Sequence, residues 1–100
     1  MRYHVIGDED TVLGFALAGV EGTEVSSAAE TETAFTNALS GDAGIVIMTE
    51  DTADMIRERV DSYVLSETFP LILEIAGPQG RKPDRPTIRE MVNQAIGMDL

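Results

Sequence analysis

Short apolar runs alternate with helix-spaced stretches along the chain. "YHVIG", Tyr3 to Gly7, has strand character and ends in glycine. "DTVLGFALAGV", Asp10 to Val20, has the periodicity of a helix, with Asp10 or Thr11 placed to cap its free amides. Val12, Leu13, Phe15, Leu17 and Val20, with alanines between them, leave this helix almost no polar face. A helix apolar nearly all round is buried on more than one side, so it is expected to touch a partner as well as its own sheet. "TEVSS" predicts a short second strand. Ser27 to Glu30, "SAAE", has the form of a capping box that opens a second helix, in which Ala34, Phe35, Ala38 and Leu39 recur at one-face spacing.

"AGIVIMTE" is β-branched and continuous, the mark of a strand covered on both faces. "DTADMIRERVDSYVL" then supplies Met55, Ile56, Val60, Tyr63 and Val64 as a third helical face, with a break expected near Asp61 and Ser62. "FPLILEIAG" is a fourth apolar run, with Pro70, which has no amide hydrogen, at its start. The order strand, helix, repeated to the end, predicts an α/β fold: a four-stranded parallel sheet with helices on both faces, in the three-layer manner of Rossmann-like and receiver-like domains. Strand order is not readable from the pattern.

The chain is expected to divide into an α/β core over 1–76, a Gly/Pro-rich loop over 77–86 and a C-terminal helix and tail over 87–100, all within a single domain. The loop holds three of the four prolines and is expected to be exposed and mobile. "TIRE", Thr87 to Glu90, is a second capping box, and Ile88, Met91, Val92, Ala95 and Ile96 line one face of the helix it opens, with Gly97 as its C-cap. Met98 and Leu100 lie past that cap, where apolar residues are either frayed or docked on something.

Composition narrows the function. A chain of 100 residues with 43% hydrophobic content can bury one core without staples, and it has no cysteine for disulfides, thiolate metal sites or nucleophiles. That is compatible with a reducing cytosol. Seven basic against eighteen acidic residues give a net charge of −11, which repels the phosphate backbone and argues against nucleic-acid binding. No apolar stretch approaches the ~20 residues needed to span a bilayer, so direct membrane insertion is not expected.

The chemically suggestive stretch is Asp8, Glu9 and Asp10, which falls where ligands bind in open α/β sheets. A signalling receiver places paired acids there to hold magnesium, but it also needs an acceptor aspartate ending the third strand and a lysine ending a fifth. Met48 and Thr49 stand where that aspartate belongs, and Lys82, the sole lysine, lies in the proline-rich loop. A degenerate receiver-like binding module therefore remains as the alternative, with Asp8 and Asp10 as its candidate cation ligands. Neither a GxGxxG nor a Walker loop is present, and His4, inside the first strand, reads as a packed or hydrogen-bonded residue rather than a base. With no serine elbow or HExxH either, no cofactor and no catalytic residue is assigned. Acids at helix N-termini favour the positive end of the macrodipole, which accounts for Asp8, Asp10, Glu50 and Asp51 without a ligand.

The same segments resemble a known family, the F subunits of the V/A-type ATPases and ATP synthases. "VIGDEDTVLGFALAGV" looks like that family's opening, "FPLILEIAGPQG" like its fourth strand and following loop, and "IREMVNQAIGMDL" like its C-terminal helix and tail. One departure is Ala16, where family members often carry a basic residue. The resemblance implies a nonenzymatic rotor component of the central stalk, cytoplasmic and held at the membrane through the ATPase complex. It would bind the long coiled-coil D subunit, with the C subunit and the catalytic A/B ring as further neighbours and the C-terminal helix as a mobile regulatory element. On that reading, Phe15 and Leu17 of the first helix and Met91, Ile96, Met98 and Leu100 of the last are the expected partner contacts.

Overall fold

A computed structural model describes residues 2–78. The expected loop beyond Pro78 and the helix and tail over 87–100 lie outside the described residues. Within them the order is β1 (Arg2–Gly7), α1 (Glu9–Leu17), β2 (Glu21–Glu24), α2 (Ala28–Ser40), β3 (Ala43–Thr49), α3 (Glu50–Met55), α4 (Arg57–Ser66) and β4 (Leu71–Ile75). The four strands form one sheet in the order β2-β1-β3-β4, and every pairing is parallel. The expected α/β architecture is therefore present, with helices on both faces.

Alternation along the strands assigns the two faces. Ile6, Val46 and Met48 point to the side where α2, α3 and α4 lie, and they form one cluster with Ala34, Phe35, Ala38, Ala53, Ile56 and Val60. Burying the larger of these side chains, Ile6, Val46, Met48, Phe35, Ile56 and Val60, is worth roughly 1.5–3 kcal/mol each, so this cluster holds the fold together. Phe35 is its largest member, fully buried, with its ring edge-on to Tyr63 at 5.8 Å between centroids and the Arg59 guanidinium 5.2 Å from its ring centroid. Val5 and Ile47 point to the opposite side, which carries α1.

Several boundaries differ from the sequence reading, each for a local reason. β2 spans Glu21–Glu24 rather than "TEVSS", because its register is fixed by pairing His4 with Glu21 through Gly7 with Glu24. Val25 continues the ladder by one bond to the Gly7 carbonyl (2.9 Å) and then turns into the core. The third helical stretch breaks at Ile56, not at Asp61 and Ser62, and gives two short helices. That break puts Ile56 and Val60 inside while leaving Met55 and Val64 exposed, contrary to the expected single face.

Helix starts follow side-chain chemistry. Ser27 caps α2, its Oγ accepting the Glu30 amide at 3.2 Å, while the Glu30 carboxylate reaches back to the amide (2.9 Å) and hydroxyl (2.8 Å) of Ser26. The capping box is thus present, displaced by one residue on the return bond. Those hydrogen bonds, led by the Ser26 hydroxyl, hold the Glu30 carboxyl below its usual value. On α4, the Arg57 guanidinium makes a bidentate pair with Glu74 of β4 (2.7 and 2.8 Å) and also bonds Asp54 (2.6 Å) and Asp61 (3.1 Å). The Glu74 bonds are the largest influence on this group; burial opposes them and the other two acids reinforce them, and the charge is held well beyond its ordinary range.

Candidate docking surface

The acidic turn after β1 resolves into a helix cap. Asp8, rather than Asp10 or Thr11, is the N-cap of α1: its carboxylate accepts the Thr11 amide at 3.0 Å and the Thr11 hydroxyl at 2.6 Å. Burial pushes the Asp8 carboxyl up, but the Thr11 hydroxyl and amide outweigh it and leave the group below its ordinary value. Glu9 and Asp10 occupy the first turn, where they face the positive end of the helix dipole. Thr49 is used in the same way at α3, its hydroxyl accepting the Thr52 amide at 3.1 Å and donating to the Thr52 hydroxyl at 2.7 Å.

Asp8, Thr49 and Asp51 share a small cleft at the point where β1 and β3 send their helices to opposite faces. That cleft occupies the receiver position, and there Asp8 and Thr49 are each engaged as the cap of the helix that follows. Among the described residues no group of three or more His, Asp or Glu is placed to hold a metal ion. His4 meets the Thr23 hydroxyl at 2.9 Å across the β1–β2 pairing, the hydrogen-bonded role expected of it.

The apolar surface lies on α1. Its nine residues include none that is buried. Val12 faces β2 at Gly22, where a side chain's Cβ would stand 2.5 Å from Val5 Cγ1 and 3.0 Å from Val12 Cγ1, so only glycine lets the helix lie this close. The helix ends in a Schellman motif, with the Val20 amide donating to the Phe15 carbonyl (3.0 Å), the Gly19 amide donating to that of Ala16 (2.9 Å), and Gly19 at a φ of 86°.

Thr11, Gly14, Phe15 and Ala18 form one stripe, which walls an open groove whose other side is Ile75 to Pro78 at the end of β4. Leu13 and Leu17, one turn apart on the side away from the sheet, are 57% and 84% exposed. The structure therefore separates Phe15, in the groove wall, from Leu17, on the outer stripe. It supplies Leu13, which the sequence pattern places in the helix without marking it for contact; its i, i+4 spacing from Leu17 is the available signal. Met91, Ile96, Met98 and Leu100 lie outside the described residues.

Residues 4–92 match the model of the ATP synthase (F/14-kDa) subunit family. The chain belongs to that family. It is 36% identical over 100 residues to the F subunit of the A-type ATP synthase from Methanothermobacter thermautotrophicus, an alignment covering 96% of this chain and 92% of the relative. The corresponding protein of Thermococcus gammatolerans is 39% identical over 109 residues, covering 100% and 98%. The F subunit of a V-type proton ATPase from Xenopus laevis is 34% identical over 109 residues, covering 94% of each. The crystal structure of the V-type ATP synthase F subunit from Archaeoglobus fulgidus superposes with a TM-score of 0.60 at 30% identity, covering 75% of this chain and 96% of that one. Family members are structural rather than catalytic components of the ATPase complex. No helix among the described residues is long and apolar enough to cross a membrane.

Proposed function

We propose that this chain is the central-stalk rotor F subunit of a V/A-type ATPase, binding the coiled-coil D subunit and coupling or regulating rotary ATP turnover and ion transport. The observation that carries this reading is α1, a helix with no buried residue whose Leu13 and Leu17 stand in solvent. Exposed leucines in register on one helix face suit the apolar seam of another helix. Phe15 and the groove beside it extend the contact, and Met91, Ile96, Met98 and Leu100 add to it from the segment 87–100. Residues 1–76 serve as the rigid body, 77–86 as the connection. The C subunit and the A/B ring are the further neighbours, and the complex holds the chain at the membrane surface.

Calorimetry of the full chain with the D subunit from the same source, at two salt concentrations, tests this. The expected result is a one-to-one complex that Leu13→Asp with Leu17→Asp weakens strongly while the melting temperature is kept. Absence of binding at either salt overturns the reading.

A further inference from the structure

One guanidinium fastens three elements on the face that carries α2, α3 and α4. All five N–H donors of Arg57 meet carboxylates. Nε and Nη2 reach Asp54 of α3 (3.1 and 2.6 Å), Nη1 reaches Asp61 of α4 (3.1 Å), and Nη1 and Nη2 together clasp Glu74 of β4 (2.7 and 2.8 Å). The Arg57 and Glu74 side chains are 28% and 18% exposed, so solvent screens this pair less than it screens the surface pairs of Arg2.

Glu74 stands directly before the outer wall of the α1 groove. β4 is the edge of the sheet, and its register with β3 runs from Ile45 with Leu71 to Thr49 with Ile75. The groove wall, Ile75 to Pro78, begins where that register ends. Alternation sends the last two residues of the strand to opposite faces. Glu74 points to Arg57 and α4, while Ile75 lines the groove beside α1.

The two walls of the groove are carried by separate parts of the sheet. α1 is seated on β1 and β2, with Val12 against Gly22, whereas β4 lies beyond β3. The width of the groove therefore depends on where the end of an edge strand is held, and the Arg57–Glu74 pair is the side-chain fastening next to that end. Without the guanidinium, Asp54, Asp61 and Glu74 would repel one another and push the strand end outward.

We infer that Arg57 is a positioning residue for partner docking: from one face of the sheet it holds, through Glu74, the wall of the groove that a helix of the D subunit meets on the other. This rests on the stalk reading above, which seats that helix on α1. A wall ordered before contact loses little conformational freedom on binding.

The test measures binding of the full chain to the D subunit by calorimetry, well below the melting temperature of each variant. Arg57→Lys keeps the charge but cannot clasp Glu74 and Asp54 at once, and Glu74→Gln removes the carboxylate. Each should weaken binding about fivefold. That loss should vanish in a Phe15→Ala background, where the groove contact is already gone, and persist in a Leu13→Ala, Leu17→Ala background, whose stripe lies outside the groove. A purely structural role would give the same loss in both backgrounds. Hydrogen exchange supplies a second readout: the amides of Ile75 to Gly77 should exchange faster in both variants while those of Val46 and Met48 stay protected. If the unaltered chain binds D and both variants bind as tightly, or if the loss is undiminished in the Phe15→Ala background, this inference fails and the stalk reading stands. If the unaltered chain does not bind D at all, the stalk reading fails and takes this inference with it.

Discussion

The two faces of the sheet are built on different plans. On one, α2, α3 and α4 close over Ile6, Val46 and Met48 and bury Phe35 and Val60 completely. On the other, α1 lies against β1 and β2 without burying any of its own residues, and its leucines project outward. The same hydrophobic fraction thus does two jobs. On the first face apolar area stabilises the fold; on the second, much of it is left for contact.

Substitutions should separate the faces by size of effect. Phe35→Ala, on the closed face, should cost about 3–5 kcal/mol in chemical denaturation, since it removes a fully buried ring and leaves a cavity. Arg57→Ala should follow at about 1.5–3 kcal/mol, the range for hydrogen bonds to charged groups, because it strips donors from Glu74, Asp54 and Asp61. Asp8→Ala, at the start of the open-face helix, should cost about 1 kcal/mol through loss of the α1 cap.

That last effect depends on pH, with a definite sign. The folded Asp8 carboxyl titrates below its ordinary value of 3.8, so its contribution is complete above that value and is lost as pH falls through the lower folded one. The stability difference between Asp8→Ala and the unaltered chain should shrink over that interval. Smallest of all, Leu13→Ser with Leu17→Ser should move stability by no more than about 0.5 kcal/mol per site while weakening association with the D subunit. A large thermal loss from that pair would erase the contrast between the faces.

How much of this was legible in the sequence follows from which signals are local. The alternation of strands and helices, the capping box at Ser27 and the one-face spacing of Ala34, Phe35 and Ala38 all depend on neighbours in sequence, and each is present. The break at Ile56 is not legible because no proline or glycine marks it; it arises where α3 and α4 must both reach the core. The α1 cap is placed too late by the pattern because Asp8, Asp10 and Thr11 are all competent, and only the backbone geometry selects Asp8. Exposure at Leu13, Leu65 and Phe69 is illegible for a deeper reason. Apolar periodicity says which residues share a stripe, and whether that stripe meets a sheet or solvent is decided by strand order.

Strand order has one more consequence, for how the chain is made. β1 stands between β2 and β3, so a polypeptide leaving the ribosome presents β1, α1 and β2 well before Ala43 to Thr49 can pair with the remaining side of β1. During that interval the nascent chain carries half a sheet with Val5 and Ile6 only partly sheltered, and α2 has nothing on which to lay Phe35. Cooperative closure waits for β3, and early termination before it would yield a sticky fragment rather than a smaller folded protein.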